Sequence, residues 1–419
     1  MSLEARFAAT LSRLSAGQKP AALGVAVSGG GDSLALLALT VDWAQAQGVE
    51  ASKIIAITVD HGLRDGSAEE AAWVAARAAE QGAAHVTLPW QWDGQGNLQA
   101  QARAARYRLI ADWVADHHPE MTVLLGHTRD DLAETFLMRL ARGSGVDGLA
   151  AMAETAEIGG MRVLRPLLAE RRQTLRDELS ARRMTWLNDP SNEDPQFDRV
   201  RMRQALDVLG PLGLTTDRLA ETAQQLARAR KALEARTAEA AARLATEPLP
   251  GVIMFDRPGF AATERETQLR LMAHGLQCLA SAAYRPRLSA LESSLDGAQI
   301  GKGSTLHGGQ ITVTTDHIIL SRELVAVAAL ECPADGQALW DNRWQMRGTR
   351  LQGCHIRALG AEGASQIDRP EGLPHAALTS YPGIWSGETL VAAPNLWHAA
   401  LCQPTYARQA RFHHTILSH

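Results

Sequence analysis

Apolar and polar positions alternate in blocks along the first half of this chain. Apolar runs at 23–27 (Leu-Gly-Val-Ala-Val), 54–59 (Ile-Ile-Ala-Ile-Thr-Val), 85–88 and 122–125 read as buried strands. Between them, Ala-rich segments at 34–47, 67–81 and 97–116 carry helical periodicity. Strands separated by helices predict parallel pairing, and hence a doubly wound α/β sheet running to the vicinity of Pro190. The texture then changes. Residues 216–245 read as one long Ala/Arg/Glu helix between Pro211 and Pro248, and 250–325 as a small α+β module. Beyond Pro333, short strands with Gly/Pro turns and several tryptophans predict a β-rich piece. The expected division is therefore 1–210, 211–330 and 331–419, in a chain of 419 residues that is too long for one ordinary core.

Ser28-Gly29-Gly30-Gly31-Asp32-Ser33 joins the first strand to the first helix. Strand, glycine turn and helix start together aim backbone N–H groups and the positive end of a helix at a phosphate. Glycines let the backbone close around the anion without Cβ interference. Ser28 and Ser33 supply hydroxyls, and Asp32 suits a magnesium ion held against phosphates, or a helix cap. A Walker loop is excluded, because no lysine lies between Lys19 and Lys53. The dinucleotide fingerprint is excluded too, since Leu34 stands where its third glycine belongs.

Other polar groups fall at the ends of other strands, where ligands bind in such sheets. Asp60-His61-Gly62-Leu63-Arg64 follows the second strand; His61 and Arg64 suit contact with a nucleotide or nucleic acid, while Asp60 and Gly62 equally suit a plain turn. Gly126-His127-Thr128-Arg129-Asp130-Asp131-Leu132-Ala133-Glu134-Thr135 follows the fourth strand and opens a helix. There His127, Asp130, Asp131 and Glu134 share one helix end, and carboxylates so placed can hold an ammonium group, help remove its proton or bind magnesium. Complementing the helix dipole would account for one of these acids. Arg103, Arg106 and Tyr107 recur at i, i+3 and i+4 along a helix, a stripe that suits phosphates or a flipped base, or solvent. Residues 162–203 hold ten Arg against seven Asp/Glu, with Arg199, Arg201 and Arg203 alternating as a phosphate backbone would suit.

The overall net charge of −4 excludes bulk attraction to nucleic acid, so any RNA contact must come from local patches. Four cysteines, none before Cys278 and none in a Cys-x-x-Cys, exclude a zinc-ribbon or disulfide scaffold and point to a reducing, cytoplasmic setting. No run approaches the roughly 18 apolar residues of a membrane helix.

The glycine turn resembles the pyrophosphate loop of the N-type ATP pyrophosphatases, which split ATP to AMP and pyrophosphate. The ordered series SGGGDS, DHGLR, NLQAQAR-x-x-RY, GH-x-x-DD-x-AET, RPLL and DPSNED-x-x-FxR narrows the likeness to tRNA(Ile)-lysidine synthases, strongly over residues 20–205. Departures are Arg199-Val200-Arg201 where Arg-Asn-x-Arg is usual, Thr128 where a second His is usual, and a C-terminal third without the usual basic signature. The resemblance implies ATP and Mg²⁺ as cofactors, and lysine and the isoleucine tRNA with a CAU anticodon as substrates. It implies adenylation of the C2 oxygen of cytidine 34, then displacement of AMP by the lysine amine. Carried onto this sequence, it assigns ATP to Ser28, Gly29, Gly30, Gly31, Asp32, Ser33 and His61, and magnesium to Asp32 and Asp131. It assigns the chemistry to Asp32, Arg106, His127, Asp130, Asp131 and Glu134, and tRNA to Arg64, Arg103, Arg199, Arg201 and Arg203. A tRNA thiolase built on the same loop, or a non-catalytic nucleotide- or RNA-binding protein, remains the alternative; a thiolase would be expected to place cysteines near the loop.

Overall fold

A computed structural model of the chain describes residues 1–17, 20, 22–62, 66–92, 94–96, 98–188, 196, 198–348, 351–407 and 410–416. It divides into two compact units, Met1–Arg230 and Lys231–His419.

In the first unit, α1 (Leu3–Leu14) precedes β1 (Leu23–Ala26), α2 (Gly31–Ala46), β2 (Ile54–Asp60), α3 (Ser67–Glu80), β3 (Ala84–Pro89), α4 (Leu98–His117), β4 (Thr122–Leu124) and α5 (Arg129–Ala141). There follow α6 (Val146–Leu149), β5 (Thr155–Ile158), β6 (Met161–Leu164), α7 (Arg172–Ala181), α8 (Asp198–Leu209) and α9 (Thr216–Leu244), the last crossing into the second unit. The sheet order is β3-β2-β1-β4-β6-β5, parallel except for the edge strand β5. Strand β2 shows why it is buried on both sides: Ile54 and Ala56 enter one apolar cluster, Ile55 and Ile57 the other. Helices α1, α2, α3 and α7 cover one face through Phe7, Leu11, Leu34, Leu37, Val74, Leu175 and Leu179. Helix α4 covers the other through Ile110, Ala111 and Val114. A third cluster joins α5 (Leu132, Phe136) to α9 (Leu219, Ala223).

The chain runs outward from β1 to β2 and β3, then returns to β4 on the far side of β1. Strand order therefore reverses between β1 and β4, the place where open α/β sheets bind ligands. Gly126, just past β4, lets this exit lie against the first turn of α2: a Cβ there would stand 3.1 Å from the Asp32 carbonyl oxygen. Gly29 is required for a different reason. Its φ is +85°, and a Cβ would come within 2.7 Å of Leu187 Cδ1, while its carbonyl accepts the Leu187 N–H at 2.9 Å. Gly29→Ala should therefore destabilise the fold by about 1–3 kcal/mol; an unchanged urea midpoint would refute this reading of the loop.

The second unit continues with β7 (Ala245–Leu249), β8 (Val252–Asp256), α10 (Arg257–Ala261), α11 (Arg265–Ala280), α12 (Leu288–Gln299), β9 (Ser304–Leu306), β10 (Gly309–Val313) and β11 (His317–Arg322). These strands form one antiparallel sheet, β7-β8-β11-β10-β9, closed over by Leu271, Leu276 and Leu295 of the helices. The β-rich remainder comprises β12 (Cys332–Pro333), β13 (Trp344–Arg347), β14 (His355–Ala358), β15 (Pro382–Ser386), β16 (Thr389–Ala392) and β17 (Gln403–Tyr406). Its core holds Trp340, Trp344 and Trp385, which explains the local richness in tryptophan. Among the described residues, no helix is long and apolar enough to cross a membrane.

Candidate active site

The glycine loop leaves β1 and enters α2 with Gly30 as N-cap and no side chain capping the helix, which leaves first-turn N–H groups for a ligand. The Ser33 hydroxyl braces the loop from within, donating to Gly30 O at 2.9 Å and accepting the Ser28 N–H at 3.2 Å. Asp32 stands in the first turn of α2, beside the residues that follow β4.

Helix α5 begins with a capping box. Thr128, fully buried, accepts from the Asp131 N–H, and Asp131 Oδ2 accepts both the Thr128 N–H and its hydroxyl at 2.8 Å. Thr128 thus has a structural use of its own. Asp131 Oδ1 and Glu134 Oε1 turn the other way, into a cluster of charge. At its centre is Arg172, the first residue of α7, which the sequence reading passed over. Its Nε donates to Asp32 Oδ2 at 3.0 Å, Nη1 to Glu134 Oε1 at 3.1 Å, and Nη2 to Asp131 Oδ1 at 3.4 Å. Its N–H donates to Asp130 Oδ2 at 2.8 Å, and two residues earlier the Glu170 carbonyl accepts the Arg129 N–H at 2.8 Å. Asp130 therefore caps α7 and does not point with Asp131 into the cluster, a correction to the expectation that the two act together.

The alternating arginines do not share one face. Residues 199, 201 and 203 lie in α8, so alternation along the sequence does not place them on one face. Arg199 reaches Asp131 Oδ1 at 3.6 Å and Arg203 reaches Glu134 Oε1 at 3.2 Å, while Arg201 pairs with Asp198 at the surface. Three carboxylates (Asp32, Asp131, Glu134) thus face three guanidiniums (Arg172, Arg199, Arg203). Burial drives the Asp32 carboxyl above its ordinary value despite Arg172. Burial pushes Asp131 up too, but the charges of Arg172 and Arg199 outweigh it and hold that carboxyl below its ordinary value. Glu134 Oε2 is buried without a hydrogen-bond partner.

The two histidines are neutral. His127 is pushed down to about 4, chiefly by burial, and its Nδ1 is buried without a partner. His61, against the edge of Trp90, is pushed down to about 4 by burial and then by the charge of Arg106. Arg106 Nη2 donates to His61 Nε2 at 3.2 Å, which places the His61 proton on Nδ1. The expected stripe is therefore divided: Arg106 turns to His61, while Arg103 lies over the Tyr107 ring at 5.3 Å. Arg165 of RPLL is buried and bonds to Ala153 O at 2.7 Å, a structural use. Arg64, Asn97 and most of DPSNED, including Asp189, Glu193 and Asp194, lie outside the described residues.

Histidines held near 4 against 6.5 when unfolded bind fewer protons folded than unfolded between those values. Stability from this source is complete above about pH 6.5 and falls as pH drops toward 4. The midpoint of thermal unfolding should decline over that window, and His127→Gln should flatten the decline; a variant with the wild-type slope would exclude His127 as its source.

Magnesium fits these donors. Mg²⁺ is usually held by one or two carboxylates together with substrate phosphates. Asp32 and Asp131 both reach one guanidinium from the two sides of the strand reversal. Among the described residues no cluster of three His, Cys, Asp or Glu forms a cage of its own.

Comparison with known proteins shows the family of the chain. A PP-loop domain family matches residues 3–208. A tRNA(Ile)-lysidine synthase of Ruegeria pomeroyi is 44% identical over 96% of this chain and 95% of its own length. That of Wolbachia pipientis wMel is 36% identical over 79% and 78%. A solved U34-tRNA thiolase from Methanococcus maripaludis is a remote likeness, 15% identical with a TM-score of 0.46 over 54% of this chain and 77% of that one.

Proposed function

Because the chain belongs to the tRNA(Ile)-lysidine synthase family, an ATP-dependent ligase family built on a PP-loop domain, we propose that it joins L-lysine to C2 of cytidine 34 in the CAU anticodon of tRNA(Ile). ATP adenylates the C2 oxygen with release of diphosphate, and the lysine amine displaces AMP to give lysidine, so that the anticodon reads AUA in place of AUG. The observation that carries this reading is the meeting of a glycine loop with a buried carboxylate cluster where the strand order reverses.

In this reading Ser28 to Ser33 receive the triphosphate at the N-terminus of α2, with Gly29 shaping the turn. Asp32, beside the cradle, would hold Mg²⁺ against the phosphates, and the charge of that ion would support diphosphate as it leaves. Asp131 and Glu134 receive the lysine ammonium and lower the cost of burying it. Neutral His127 offers a hydrogen bond at an otherwise unpaired Nδ1, and the His61–Arg106 pair presents an N–H to the nucleotide or base. Asp130 serves by holding α7 and hence Arg172 in place. An anticodon base is already single-stranded and enters a pocket at modest cost. Exposed Arg103 and Arg201 are cations for the tRNA backbone, to which the sequence motif adds Arg64, and Arg199 and Arg203 divide between RNA and the acids they already meet. Such a reaction belongs in the cytoplasm. The first unit contains no cysteine, in keeping with a ligase and not with a thiolase that uses one.

The direct test is incubation of the protein with labelled lysine, ATP and that tRNA. Label should enter tRNA with equal amounts of AMP and diphosphate formed, and a transcript with uridine at position 34 should accept none. AMP release without lysine incorporation would defeat the proposal.

A further inference from the structure

The acidic cluster that should welcome a cationic substrate is already full. Arg172 bonds all three carboxylates at once, at 3.0, 3.4 and 3.1 Å, and among the described residues no other side chain does. Arg199 and Arg203 each reach one acid and are half-exposed. A lysine ammonium approaching Asp131 and Glu134 would meet a guanidinium in its place, and two cations on the same oxygens repel. Yet Glu134 Oε2 is buried with no donor, an acceptor prepared for something that is not Arg172.

The link to the nucleotide is also in place. The Nε of the same guanidinium holds Asp32, in the first turn of the helix whose N-terminus forms the phosphate cradle. Its backbone is pinned by Asp130, so the side chain can swing without moving α7. A triphosphate in the cradle presents far more negative charge to that guanidinium than one carboxylate does.

Resting on the reaction proposed above, we infer that Arg172 is an exchangeable counter-ion that orders substrate binding. Before ATP arrives it occupies the lysine ammonium site between Asp131 and Glu134. When ATP binds, the guanidinium transfers past Asp32 to the phosphates, and the two carboxylates are left for lysine. Lysine is thereby excluded until the adenylating substrate is present. Arg172 touches the nucleotide in one state and stands in for the amine in the other.

Equilibrium binding of labelled lysine tests this, using the full chain, saturating tRNA(Ile), and α,β-methylene-ATP as a nucleotide that cannot adenylate. Wild type should bind lysine about tenfold more tightly with the analogue than without it, and by reciprocity lysine should tighten the analogue by the same factor. Arg172→Gln should bind lysine without nucleotide as tightly as wild type does with it, and Arg172→Lys, which keeps a mobile cation, should restore the dependence. Equal lysine affinity with and without the analogue in wild type overturns the inference, and that arm stands even if Arg172→Gln fails to fold. An undiminished dependence in folded Arg172→Gln overturns it as well. Failure of the underlying reaction is distinguishable: wild type would then put no lysine into tRNA with ATP itself.

Discussion

Asp32→Asn should abolish most lysidine formation while leaving the fold nearly as stable as wild type. Burial disfavours the charged form of Asp32, so its charge contributes little to folding. An Asn oxygen can still accept from Arg172 Nε, now 3.0 Å from Asp32 Oδ2. What disappears is the negative charge that, in the proposed reaction, would hold magnesium at the phosphates. Loss of one preorganised electrostatic partner typically costs about 10²–10³ in rate. The measurement is turnover of labelled lysine into tRNA beside a urea unfolding curve. Near-normal turnover would remove Asp32 from the chemistry, and a large fall in stability would mean that it serves the fold.

Glu134→Gln should show the opposite combination, with both folding and lysine use impaired. Glu134 is only 1% exposed, and its Oε1 accepts from Arg172 at 3.1 Å and Arg203 at 3.2 Å. Removing one partner from a buried ion cluster leaves guanidinium charge uncompensated, at a cost of about 3 kcal/mol. The unpaired Oε2 goes as well, so KM for lysine should rise by about tenfold, the worth of one charge-assisted hydrogen bond. Denaturant unfolding and steady-state kinetics at fixed ATP check the two halves. A variant with normal stability would refute the buried-pair reading, and one with normal KM would refute the lysine site.

The parts of the fold that rest on local pattern were legible in the chain. Strands at 23–27, 54–59, 85–88 and 122–125 are found within a residue or two, because each is an apolar run between amphipathic helices. The hairpin of β5 and β6 escaped the pattern reading: its strands are four residues long, β5 alternates through Glu157 to an exposed edge, and only Gly159-Gly160 marks the turn. Arg172 left no signature either. It is one of ten arginines in its stretch, and its partners lie 140, 41 and 38 residues away, a relation that only the sheet topology creates. The ion pairs of the arginines at 199, 201 and 203 were hidden for a related reason. Their alternation suits an extended chain, but the segment is helical and its pairing follows i and i+4.

The capping box at the start of α5 has a stereochemical consequence for anyone probing the site. Asp131 commits Oδ2 wholly to Thr128, whose N–H and hydroxyl both donate to it. An amide side chain at this position would have to keep its oxygen on that side, since an NH₂ group facing two donors would forfeit both bonds. Its amide nitrogen would then be forced toward Arg172 and Arg199, donor against donor. Asparagine is the gentlest probe of charge at position 32 and among the harshest at 131. The same isosteric exchange thus reports on electrostatics at one carboxylate and on hydrogen-bond polarity at its neighbour.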